Sequence, residues 1–130
     1  MEITMARETS EMRMSLPNIL LRIEGAAAFI GSLALYFNAG GELLPLVLLI
    51  LAPDLSMVGY LVNTRVGAMA YNLVHTYVLP GALLALGLLT NTAVISQIAL
   101  IWLAHVSMDR MVGYGLKYPT EFKDTHLQRV

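Results

Sequence analysis

Four long apolar runs, divided by three short polar turns, dominate this sequence, and any fold must give all of them an apolar solvent or an apolar partner. The runs cover about residues 17–37, 42–62, 66–89 and 93–113, and the turns are Asn38-Ala39-Gly40-Gly41, Asn63-Thr64-Arg65 and Thr90-Asn91-Thr92. Each run is close to the ~20 residues that cross a hydrocarbon core about 30 Å thick. None alternates polar and apolar residues as a strand does. Only 13% of the chain is charged, against 57% hydrophobic, and its mean hydropathy is +0.67. A soluble domain has roughly a quarter of its residues charged. Lipid is therefore the expected solvent. Backbone in lipid must satisfy its own hydrogen bonds, which selects helices, and short turns make consecutive helices antiparallel. The expected fold is all-α: an antiparallel up-down bundle of four transmembrane helices over residues 17–113. An N-terminal arm (1–16) precedes it and an interfacial tail (114–130) follows.

The basic residues orient the bundle. Arg7, Arg13 and Arg22 lie at the start, Arg65 in the middle turn, and Arg110, Lys117, Lys123 and Arg129 at the end. The first and third turns carry none. The positive-inside rule then puts both termini in the cytoplasm and the chain in the inner (plasma) membrane as a multi-pass protein. The N-terminal arm lacks the apolar core of a secretory signal and is expected to stay cytoplasmic. A net charge of −1 with no basic stripe argues against a nucleic-acid partner. The absence of cysteine excludes disulfides, thiolate metal sites and thiol nucleophiles.

The polar residues inside the runs share one depth. Glu24 is about seven residues past Pro17, Asp54 about eight before Val62, His75 about nine past Val66 and His105 about eight before Gly113. At ~1.5 Å per residue, each lies roughly 10–14 Å from the cytoplasmic end of its helix. Asp109 shares a face with His105 through i, i+4 spacing, and Asn72 relates to His75 by i, i+3. An ionised group facing lipid costs roughly 2.5–3.5 kcal/mol, so the expected arrangement is an inward polar layer of Glu24, Asp54, Asn72, His75, His105 and Asp109. Ala27, Ala28 and Gly31 are expected to line the Glu24 face and permit close packing. Pro53 should kink the helix beside Asp54 by freeing the Leu49 carbonyl. In the tail, Asp124 and His126 are candidates to cap the cytoplasmic mouth.

The blocks RIEG (22–25), LAPDLSMVGY (51–60), RVGAMAYNLVHTYVLP (65–80), WLAHVSMDRMVGYGLKYP (102–119) and DTHL (124–127) resemble the bacterial family called domain of unknown function 4260. The resemblance implies a small multi-pass inner-membrane protein and brings no activity with it.

Four uses of the polar layer stand side by side. Two histidines with carboxylates suit a divalent metal such as Zn, Fe or Mn. Asp54, His75, His105 and Asp109 are then the candidate ligands and Glu24 the candidate general base of a hydrolase-like enzyme acting on a membrane-soluble substrate. Acid and histidine chains also serve proton or cation transport, which in so narrow a bundle needs a homo-oligomer. His75 and His105 are placed for bis-histidine haem ligation. Finally, the layer can simply fix helix register.

Overall fold

The computed structural model describes residues 15–116, and these are all-helical, with no strand among them. Helix α1 spans Leu16–Asn38. Ser15 caps it, accepting from the Asn18 N–H at 3.2 Å, and Pro17 lies in the first turn, where a missing N–H costs nothing. Helix α2 (Leu43–Leu49) is followed by a 3-10 segment, Ala52–Leu61. Helices α3 (Thr64–His75), α4 (Val78–Leu89) and α5 (Ala93–Val112) complete the described residues. Gly113 stops α5 in a left-handed conformation with φ +101°, which a residue without a Cβ adopts freely.

Three stretches are long and apolar enough to cross a membrane: Leu16–Asn38, Leu43–Leu61 and Thr64–Leu89. Their outer surfaces are aliphatic, and Leu61 and Leu89 are each 86% exposed. Such a surface favours lipid over water. Helix α5 is the most buried element. It packs along α1 on one side and α4 on the other, while α3 packs against the 3-10 segment.

Two of the expected runs are not continuous α-helices, and prolines explain both breaks. Proline has no N–H for the carbonyl four residues back, and its ring collides with that carbonyl. After Pro53 the chain tightens to 3-10 geometry, with the Asp54 N–H reaching the Leu51 carbonyl at 3.0 Å. The Ile50 carbonyl, which would accept from Asp54 in an α-helix, is released. Pro80 acts on Thr76 in the same way. Thr76 is extended (φ −88°, ψ 160°), and α4 restarts with Pro80 in its first turn. The single helix expected over 66–89 is therefore two helices meeting at an elbow.

The packing face of α1 also differs from expectation. Its buried residues are Asn18, Gly25 and Ser32, at heptad spacing, and Tyr36 one turn beyond. A Cβ on Gly25 would lie 2.6 Å from Arg110 Cβ and 2.7 Å from the Met111 nitrogen, whereas one on Gly31 would meet nothing within 4 Å. The helix touches α5 through Gly25, and the face carrying Glu24, Ala27 and Gly31 is turned away from it.

Candidate metal centre

The 3-10 segment, α3 and α5 each bring polar side chains to one point. Asp54 comes from the first turn of the 3-10 segment, His75 from the last residue of α3, and His105 and Asp109 from successive turns of α5. One ligand atom from each of the four lies within 4.8 Å of every other. His75 Nε2 is 3.3 Å from Asp54 Oδ1 and 3.4 Å from Asp109 Oδ2. His105 Nε2 is 3.1 Å and 3.3 Å from the same two oxygens. The two Nε2 atoms are 3.1 Å apart. Both histidines are almost fully buried, at 1% and 0% exposure, while Asp54 retains 34% exposure of its side chain and Asp109 13%.

The backbone decides the state of both rings. His75 Nδ1 donates to the Tyr71 carbonyl at 2.8 Å. His105 Nδ1 donates to the Ile50 carbonyl at 2.5 Å, the one released by the break at Pro53. With each Nδ1 proton committed to a carbonyl, a neutral ring presents a bare Nε2 lone pair to the cluster. Two nitrogen lone pairs and two carboxylate oxygens thus converge on one point. With both rings neutral, all four are acceptors, and four acceptors at this range repel unless a cation lies among them. A proton on each Nε2 would instead pair each ring with a carboxylate. A metal ion engages all four atoms at once.

The spacing suits a metal. In a tetrahedron the ligand–ligand edge is about 1.6 times the bond length, so the ~2.0–2.1 Å bonds of zinc to nitrogen and oxygen give edges of ~3.3–3.4 Å. Five edges here are 3.1–3.4 Å. The same numbers do not suit haem, because two ligands on opposite faces of one iron stand roughly 4 Å apart, twice a metal–nitrogen bond, with a ring between them.

Three supporting residues were not singled out by the sequence. Tyr71 stacks flat on the His75 ring, with centroids 3.7 Å apart and planes at 6°, and its hydroxyl donates to Asp109 Oδ2 at 3.3 Å. Outer partners of this kind orient metal ligands. Its position one turn before His75 was the available signal. Trp102 Nε1 donates to the Val74 carbonyl at 2.7 Å. Arg110, which is buried, donates to the His75 carbonyl at 3.2 Å and places its guanidinium over the Tyr77 ring. These two side chains of α5 satisfy carbonyls left open where α3 ends.

Other expected members of the layer stand elsewhere. Glu24 is exposed on α1 and outside the four-residue group, a position that does not support the role of general base. Asn72 faces a separate groove with Met69, Leu73 and Thr76. Asp124 and His126 lie outside the described residues. The Ser107 hydroxyl donates to the Leu103 carbonyl at 2.6 Å, a backbone bond of the kind expected for hydroxyls on membrane helices.

Over residues 18–130 the chain matches the family described as domain of unknown function (DUF4260). No curated protein and no solved structure matches it.

Proposed function

This chain belongs to the domain of unknown function 4260 family, and we propose that it is a four-span inner-membrane protein, with both termini cytoplasmic, holding one divalent metal on Asp54, His75, His105 and Asp109. Zinc is the favoured ion, with iron or manganese as alternatives, and the favoured activity is hydrolysis of a membrane-soluble substrate. The observation that carries the metal reading is the convergence of four acceptor atoms with both Nδ1 protons committed to backbone carbonyls. A bound divalent ion polarises a carbonyl or phosphoryl oxygen and lowers the pKa of water. Asp54, the most accessible of the four, marks the side from which water and substrate enter. Tyr71 holds Asp109 in place. The three apolar spans support the membrane assignment. The one-sided distribution of Lys and Arg supports a cytoplasmic opening, and α5, packed between α1 and α4, serves as the fourth span.

Elemental analysis of the full-length protein in detergent tests the proposal. Stoichiometric zinc, iron or manganese is expected in the wild type, lost in His105→Ala and retained in Glu24→Gln. A metal-free protein that carries proton or cation flux in vesicles overturns the metal reading in favour of transport. A metal-free protein with no flux leaves the cluster as a packing device.

A further inference from the structure

A cavity of about 210 Å³ lies beside the four-residue cluster, and every side chain that lines it is apolar, Leu49, Ala52, Pro53, Val74, Ile98 and Trp102 among them. Each of these walls is tied to the site. Pro53 precedes Asp54, Val74 precedes His75, and Leu49 precedes Ile50, whose carbonyl holds His105. Trp102 lies one turn before His105 and Ile98 about two turns before it. In the proposed topology the second and fourth spans both run toward the cytoplasm. On both of them, wall residues come before the ligands in the chain, so the cavity extends from the cluster toward the middle of the bilayer, about 10 Å along α5 at ~1.5 Å per residue.

We infer that this cavity holds the hydrocarbon chain of the substrate, and that the substrate is a single-chain membrane amphiphile with its polar head at the Asp54–His105 cluster. An apolar cavity of ~150 Å³ stays dry and accepts a ligand the size of benzene, whereas pockets for larger organic ligands run from ~300 Å³ upward. The volume here therefore suits one slim chain segment. Polar cluster and apolar cavity follow one another along the membrane normal in the same order as the head and tail of a lipid in the inner leaflet. The identity of the head group's partner rests on the metal reading above. Chain binding rests on the cavity alone.

Trp102 is the only tryptophan in the chain and lies in the cavity wall, so its fluorescence reports occupancy directly. The full-length protein is reconstituted in phosphatidylcholine vesicles and titrated with lysophosphatidylcholine brominated on its single chain, with brominated diacyl phosphatidylcholine as the reference quencher. Saturable quenching by the single-chain lipid is expected, in excess of the reference. It should be lost in Ala52→Phe and in Ile98→Phe, which fill the cavity from different elements. Quenching that rises in proportion to bromine content for both lipids, or that survives in both variants, overturns the inference. Running each titration with chelated and with zinc-loaded protein separates the two claims. Saturable quenching in a protein that takes up no metal keeps the chain site and removes the metal centre. Stoichiometric metal without saturable quenching does the reverse.

Discussion

Replacing Asp54 with Asn should stabilise the metal-free protein and shrink the stabilisation that zinc adds. Without a metal, the carboxylate oxygens of Asp54 and Asp109 lie no more than 4.8 Å apart. Two negative charges at that distance repel by about 3.5 kcal/mol at an effective dielectric of ~20. Solvent screening reduces this figure, because Asp54 is one-third exposed. Asp54→Asn removes one of the charges and turns an N–H donor toward the two Nε2 acceptors. The metal-free variant should therefore be more stable than metal-free wild type. With zinc the difference moves toward the wild type. At a free zinc concentration of 100 times Kd, the wild type gains about 2.7 kcal/mol. Losing a ligand weakens binding by at least the 10–100-fold that losing an outer partner costs, which cuts the gain to between about 0.4 and 1.4 kcal/mol at the same zinc concentration. Thermal unfolding in detergent, after chelation and again after zinc addition, measures all four stabilities. If the metal-free variant is the less stable protein and zinc shifts both proteins equally, the cluster is a hydrogen-bond network and the metal reading fails.

Tyr71→Phe keeps the ring stacked on His75 and removes the hydroxyl that holds Asp109. It should lower zinc affinity about 10–100-fold in a competition titration, with the stability of the metal-free protein changed by no more than ~1 kcal/mol. On α1, Gly25→Ala drives a methyl into the backbone of α5 and should cost about 1–3 kcal/mol in thermal unfolding. Gly31→Ala meets nothing and should be neutral or stabilising by about 0.5–1 kcal/mol. The reverse order would put the Glu24 face back against α5.

The four cluster residues were legible in the sequence because two independent rules selected them. The cost of ionisable groups in apolar runs favours turning them inward, and equal depth along successive apolar runs puts Asp54, His75 and His105 at one level, with Asp109 one turn from His105. Depth says nothing about rotation, and rotation is what failed for Glu24. Arg22 lies on the opposite side of α1 from Glu24. Its guanidinium bonds Asn18 Oδ1 at 2.9 Å and approaches the Val112 carbonyl at the end of α5. The heptad stripe Asn18, Gly25, Ser32 gave the packing face, and the competing stripe Ala27, Ala28, Gly31 has the same small-residue character. Composition could not choose between them, because only the shape of α5 beside Arg110 does. The elbow at Thr76 was open to sequence reasoning through Pro80, whose effect on the carbonyl four residues back is the one already assigned to Pro53. Arg110 was read only as a charge that orients the protein, and its burial follows from a broken helix end that the continuous-helix expectation did not contain.

The two breaks and the cluster form one construction. A continuous helix in lipid uses all its carbonyls internally and has none left to orient a side chain on a neighbour. The 3-10 turn around Pro53 sends the Asp54 N–H to Leu51 and leaves the Ile50 carbonyl open, and that carbonyl fixes the His105 ring. The break ahead of Pro80 ends α3 at His75 and leaves the carbonyls of Val74 and His75 to Trp102 and Arg110. All three bonds run to α5, at residues three before, at, and five after His105. Helix α5 is thereby held in register against both interrupted spans at the level of the cluster. The open backbone groups that would be a liability at membrane depth become the means of aiming two imidazoles at two carboxylates. The Trp102 and Arg110 bonds hold α5 against the end of α3, and the His105 Nδ1 bond holds it against the second interrupted segment at Ile50. That bond also commits the Nδ1 proton, so that a neutral His105 ring turns its Nε2 lone pair toward the cluster, as a metal ligand requires.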